Sequence, residues 1–140
     1  MPEASKIMRD NLQLLENIHA RCEWGRYPSE QVARFVARNY YNSIRANTKI
    51  LDFGCGGGAN TWFLAREGFD VYAFDGAPSA VKKAESYLTK EGINDVHFKV
   101  MDGKCLDYTT EFFDCVIDNV CSYSNILCEI KKCIRRYTGY

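Results

Sequence analysis

The stretch from Lys49 to Pro78, KILDFGCGGGANTWFLAREGFDVYAFDGAP, sets the tightest limit on how this chain can fold. An apolar run, KILDF, ends in Gly54, Cys55, Gly56, Gly57 and Gly58, and a helix-like segment follows at once, closed by Gly68 at its C-cap. Glycines in that position allow a tight turn and let a ligand approach the backbone without Cβ clashes. The helix start behind them offers unpaired N–H groups and partial positive charge. A second apolar run, DVYAFD, ends at Asp75, 21 residues beyond Gly54 and suitably placed to accept hydrogen bonds from a ribose diol.

The flanking sequence extends this rhythm. Upstream, Ile7, Met8, Leu12, Leu15 and Ile18 recur at helical spacing from Ser5 to about Arg21. The loop CEWGRYPSE interrupts them, and Ser29 reads as the N-cap of a second helix with Val32, Phe35, Val36, Tyr40 and Ile44 on one stripe. Downstream, PSAVKKAESYLTKEG reads as a helix with Val81, Ala84 and Leu88 on one face, VHFKVMD as a third strand and FFDCVIDNV as a fourth. NILCEIKKCIRRY reads as a last helix, with Lys131, Lys132, Arg135 and Arg136 complementing its dipole. Apolar strands alternating with helices predict an α/β fold: a parallel Rossmann-like sheet with helices on both faces and two helices ahead of it. The 140 residues are expected to form a single domain, an N-terminal helical cap over 1–47 and a core over 48–140.

Charge and composition exclude several functions. Eighteen basic and eighteen acidic residues cancel, which argues against nucleic acid or an anionic membrane as partner. No apolar run approaches the length of a bilayer, and MPEASKIMRDN lacks the design of an export signal, so the cytoplasm is the expected compartment. The seven cysteines are odd in number and lack C-x-x-C spacing, and only His19 and His97 exist to complete a metal site, so reduced thiols and no metal are expected.

Two ligand classes fit the glycine loop. Gly54, Gly56 and Ala59 satisfy G-x-G-x-x-G/A, the dinucleotide fingerprint. S-adenosylmethionine, with a ribose and an adenine but no phosphate, is the other. Asp52 favours the second class, because a carboxylate two residues before the first glycine would repel a pyrophosphate but could pair with an ammonium. Asp102, in VMDGK at the end of strand three, could accept from an adenine amine. D-x-G-x-G-x-G at Asp52 to Gly58, acids at Asp75 and Asp102, and FFDCVIDN as strand four together resemble the class I S-adenosylmethionine-dependent methyltransferases. WGRYPSEQ resembles the N-terminal segment of some small bacterial members.

The resemblance implies a strand order 3-2-1-4 and a role for each position. Gly54, Cys55, Gly56 and Gly58 would shape the loop under the methionine part of the cofactor. Asp52 would act on its amino group, Asp75 and Gly76 at the ribose hydroxyls, and Asp102 with Gly103 at the adenine amine. Asp118, Asn119 and Val120 would border the sulfonium and the acceptor, with Asp118 a candidate base. Trp24 and Tyr27 could lie over the cofactor as a lid. Each has a plainer counterpart: a turn cap before Pro78 for Asp75, a loop acid for Asp102, packing aromatics for Trp24 and Tyr27, an orienter of the loop for Asp118; His19, a further candidate base, reads more simply as a structural helix residue. DNVCSY departs from the N-P-P-Y loop, and a small-molecule acceptor is expected.

Members of the family resemble a seven-stranded sheet, and strands five to seven have no counterpart before Tyr140. Strand four would then be an edge, which suggests a homodimer through that edge or the last helix. A cofactor-binding module without a complete acceptor site is the rival to an active methyltransferase.

Overall fold

A computed structural model describes residues 2–21 and 25–119. Its centre is β1, Lys49–Phe53, in which every residue from Ile50 to Phe53 is buried. The sheet needs such a strand because both of its faces are covered. β1 pairs in parallel with β2 (Asp70–Asp75) on one side and β4 (Cys115–Asp118) on the other, and β3 (His97–Val100) adds to β2. The order β3-β2-β1-β4 is the one predicted.

Side chains alternate across β1 and build two different cores. Ile50 meets Leu64, Val71, Cys115 and Ile117, and two valines of α2 (Glu30–Tyr40), Val32 and Val36, close this cluster. Burying each valine contributes roughly 1.5–3 kcal/mol. Ser29 caps that helix as expected, its Oγ accepting from the Val32 N–H at 3.4 Å. On the same face α3 (Ala59–Arg66) and α4 (Pro78–Lys90) return the chain between strands, and α4 buries Ala80, Val81, Ala84 and Leu88. The opposite face holds Leu51, Phe53, Phe74, Leu106 and Phe113. Among the described residues that face is covered by segment 101–114 and its aromatic side chains rather than by a helix.

Several sequence expectations needed adjustment. Phe35 and Ile44, placed on the α2 stripe, are 47% and 73% exposed: only the Val32–Val36 edge of the helix is buried, and Ile44 lies beyond the helix end at Tyr40. Strand three is shorter than VHFKVMD and largely exposed, since β3 is an edge strand. Phe112 and Phe113 do not join strand four; they pack around Tyr72 and Tyr108 in the loop before it. Cys115 serves as a small apolar residue, and burial pushes its thiol up to about 11. Among the described residues, Cys55, Cys105 and Cys115 are not joined in disulfides. The predicted last helix, with Lys131, Lys132, Arg135 and Arg136, lies outside the described residues. So do Trp24, Val120 and the side chain of His19.

The first helix, α1 (Pro2–Arg21), crosses onto α4. Its Glu16 carboxylate accepts from the Ser79 N–H at 3.2 Å, while the Ser79 hydroxyl donates to the Glu16 carbonyl at 3.4 Å. Ala77 gives α4 no side-chain cap, so a residue from another helix supplies the negative charge its N-terminus favours.

Two glycines with left-handed backbones separate conformation from packing. At Gly58 (φ +89°) an added Cβ would lie 2.8 Å from the Ala84 Cβ, whereas at Gly68 (φ +91°) it would meet nothing within 4 Å. Gly58→Ala is expected to cost about 2–4 kcal/mol from strain and overpacking together, and Gly68→Ala only about 1–2 kcal/mol from strain. Urea denaturation of both variants checks the difference; equal losses would mean that the α3–α4 contact relaxes freely.

Candidate functional site

The carboxyl ends of β1, β2 and β4 converge on the glycine loop. β1 leaves the sheet at Phe53, and the Cys55 N–H extends its pairing by donating to the Phe74 carbonyl at 2.8 Å. Gly54, Gly56 and Gly58 then adopt φ of +73°, +53° and +89°, the left-handed region that side chains avoid. Gly58 also starts α3, with its N–H bonded to the Cys55 carbonyl at 3.0 Å. The role of Gly58 is thus the close approach of α3 to α4, a packing task in addition to turn geometry.

Asp75 ties this loop to the next crossover. Its Oδ2 accepts from the Gly56 N–H at 3.0 Å and its Oδ1 from the Ala77 N–H at 2.9 Å. The carboxylate is therefore a turn cap, one of the two readings that the sequence left open, and it stands beside the glycine loop. Each oxygen keeps further lone-pair capacity for a ligand donor. Gly76 follows it, and a Cβ there would come 3.0 Å from Leu12 Cδ2, so α1 presses on the turn that Asp75 caps.

Asp52 points the other way, into the α3 side of the sheet. It is 2% exposed and accepts from the Thr61 hydroxyl at 2.6 Å. Burial pushes its carboxyl up to about 6; the Thr61 hydrogen bonds pull it back, and the negative charges of Asp75 and Asp118 raise it further. Thr61 was not singled out in the sequence, because its distance of nine residues matches neither helix nor strand periodicity. Only the reversal of the chain through the glycine loop brings it onto Asp52.

Asp118 stands in register with Phe53 at the end of β4, and Asn119 follows it. Asp102 is exposed in the turn after β3, its Oδ1 accepting from the Lys104 N–H at 2.9 Å. Gly103 lies against the ring of Phe53, where a Cβ would come within 2.8 Å. The structure thus brings Asp52, Asp75 and Asp118 together with the loop, while Asp102 stands in the exposed turn whose Gly103 packs on Phe53. Tyr27 is 83% exposed and covers none of them. Among the described residues no three His, Cys, Asp or Glu side chains gather as a metal site, and no helix is long and apolar enough to cross a membrane.

A parallel 3-2-1-4 sheet with an acid at the carboxyl end of each of its first two strands and a left-handed glycine loop between them defines a Rossmann-like fold. The family model described as "Methyltransferase domain" matches residues 50–137. The chain belongs to this family, the class I S-adenosylmethionine-dependent methyltransferases. The 2-heptyl-1-hydroxyquinolin-4(1H)-one methyltransferase of Mycobacteroides abscessus is 28% identical over 88 residues, 62% of this chain and 37% of that protein. A solved structure described as "Conversion of a Disulfide Bond into a Thioacetal Group during Echinomycin Biosynthesis" matches with a TM-score of 0.77 and 22% identity, over 89% of this chain and 54% of its own. An N-methyltransferase of Haemonchus contortus, solved with phosphomonomethylethanolamine and S-adenosylhomocysteine, matches with a TM-score of 0.66 and 22% identity, over 76% of this chain and 25% of its own. The chain spans little more than a third of that curated relative and about half of the first structure.

The raised Asp52 pKa gives a pH test. Folded protein holds this proton more tightly than unfolded chain, whose aspartates titrate near 4. The resulting stability is fully present below about pH 4 and is lost as pH rises through about 6. Asp52→Asn keeps an acceptor for Thr61 and cannot ionise. Its stability relative to the parent is expected to rise by about 1–3 kcal/mol between pH 4 and pH 7.5, read by urea denaturation at each pH. Parallel pH curves for the two proteins would show that Asp52 is not the buried acid argued here.

Proposed function

We propose that the chain binds S-adenosylmethionine and transfers its methyl group to a small-molecule acceptor. The observation that carries this reading is the Asp75 carboxylate, held by the Gly56 and Ala77 N–H groups at the lip of a left-handed glycine loop. A carboxylate fixed in this way needs no rearrangement to accept from a vicinal diol. The H. contortus relative's complex with S-adenosylhomocysteine supports the same ligand class.

The residues present fit that group. The loop at Gly54, Cys55 and Gly56 leaves room for a ligand against the backbone, Gly76 extends the ribose platform, and Asp102 with the Gly103 backbone would take the adenine edge. Asp52, Asp75 and Asp118 give this end of the sheet a negative field, which favours a cation. The cofactor, when bound, supplies an electrophilic methyl on a sulfonium. The chain contributes orientation: fixed hydrogen bonds at the ribose and adenine ends set the line of approach, which is where most of the rate gain of such a displacement lies. Asp118 and Asn119 would border the acceptor, with Asp118 taking a proton where the nucleophile must lose one. Trp24 and Tyr27 would close over the ligand only on rearrangement of the exposed loop that carries Tyr27. Overall neutrality favours a small acceptor over a nucleic acid. The reading extends to a second copy pairing along β4, an edge strand among the described residues.

Calorimetric titration with S-adenosylhomocysteine, with NAD as the control, tests the cofactor. Binding of the former alone is expected. Asp75→Ala should weaken it about ten- to a hundred-fold, through loss of charge-assisted hydrogen bonds. NAD binding that survives Asp52→Ala, or no binding of either ligand by protein that melts cooperatively, would reject the reading. Sedimentation equilibrium tests the pairing: a dimer mass is expected, and a monomer at about 100 μM would reject an affinity in the micromolar range.

A further inference from the structure

A second concave site lies away from the strand ends, between α4 and the loop that leads into α2. It has a volume of about 350 Å³, and Arg26, Lys82, Lys83 and Lys90 stand around it with Glu91 as the one carboxylate. Tyr87 forms its wall, and the Tyr87 hydroxyl donates to the Arg26 carbonyl at 3.0 Å, which pins the loop over the helix. Behind Tyr87 the Trp62 ring is stacked at 6.2 Å, so the wall is a rigid aromatic pair.

Arg26, Lys82 and Lys90 are exposed, but they converge on one concavity and do not spread over the helix surface. Several cations elsewhere have partners: Arg34 pairs with Glu30 at 3.1 Å, Arg45 with Glu67 at 3.1 Å and Lys99 with Asp107 at 3.4 Å. Lys49 and Arg66 lie over the rings of Phe112 and Trp62. Among the described residues, Arg26, Lys82 and Lys90 make no such contact. The chain as a whole is neutral, so this excess is local. Clustered cations with low-dielectric walls repel one another and focus a positive potential into the cavity, and a multivalent anion relieves both effects.

We propose that this cavity binds a small phosphate-bearing molecule with a planar ring, its phosphate among Arg26, Lys82, Lys83 and Lys90 and its ring against Tyr87. The volume suits one small organic ligand. A polyanion would need a basic stripe continuing beyond the cavity. Gly57, between the left-handed Gly56 and Gly58, also lines the cavity, so the ligand would sit behind the glycine loop rather than at the strand ends. The site stands whether or not the strand ends hold a nucleoside cofactor.

Amide-resolved NMR of the full chain during titration with phenyl phosphate tests it, with phenol as the uncharged analogue. Shifts are expected at Gly25, Arg26, Gly57 and residues 82–91, saturating for phenyl phosphate and weaker for phenol. Lys82→Ala with Lys90→Ala should weaken binding at least about ten-fold, while Lys82→Arg with Lys90→Arg should retain it, both with the parent melting temperature. Absent or scattered shifts, an unchanged affinity in the double alanine variant, or a single-stranded RNA oligomer binding more tightly at the same residues would overturn the proposal.

Discussion

The carboxylate of Asp75 accepts from two backbone amides on two different crossovers, and the geometry of the whole ligand-facing edge follows from those bonds. The Gly56 bond sets where the glycine loop turns, and hence where α3 begins. The Ala77 bond sets where the chain leaves β2, and hence the direction of α4. A parallel sheet has no hairpins to fix the ends of its strands, so this information must come from outside the ladder. A side chain with two acceptor oxygens supplies it to both neighbours at once. The conformations that result are ones only glycine tolerates well, which is why the loop is rich in it.

The N-terminal helix depends on the same corner. Glu16 substitutes for the side-chain cap that Ala77 cannot give, and Leu12 approaches the turn at Gly76 as closely as a missing Cβ allows. α1 is thereby attached to the start of α4 by charge and by contact. Leu14, off the apolar stripe of α1, is exposed. Such an attachment orders the cap only while the β2–α4 turn holds its shape. Asn60 plays the corresponding part for α2, its carbonyl oxygen accepting from the Ser29 N–H at 3.1 Å. Both helical additions are therefore keyed to the beginnings of the core helices, next to the candidate site.

Strands and helices were legible because each has a period or a terminator of its own. KILDF and DVYAFD coincide with β1 and β2 to the residue, and Pro78 starts α4. The order of the strands followed from the family resemblance. The site was legible as a set of acids after strands but not as a set of bonds. Asp75 carries its meaning in sequence, since it follows a strand and precedes a turn. The Asp52–Thr61 pair does not, because its spacing is produced by the fold. Glu16 was hidden for the same reason: nothing in a helix of mixed polarity marks one glutamate as the cap of another helix. Phe112 and Phe113 misled in the opposite direction, since an apolar run before β4 reads as strand whether it pairs or packs.

The three acids at the strand ends show what the fold gives up at this edge. Asp52 is held almost free of solvent, with two further carboxylates raising its pKa, although hydrophobic residues occupy nearly every comparable position in the sheet. The Thr61 hydroxyl offsets part of the desolvation, and the neighbouring negative charges work against it. An apolar residue at position 52 would be the stabilising choice on packing grounds alone. Local rules broken in a well-packed core, with only partial compensation from the protein itself, are where ligands are expected. The sign of the imbalance is informative: an excess of carboxylate is relieved by a cation and aggravated by a phosphate. The opposite imbalance at Lys82 and Lys90 lies on the outer side of the same loop. One glycine-rich turn thus separates a site whose field selects positive charge from a cavity whose field selects negative charge.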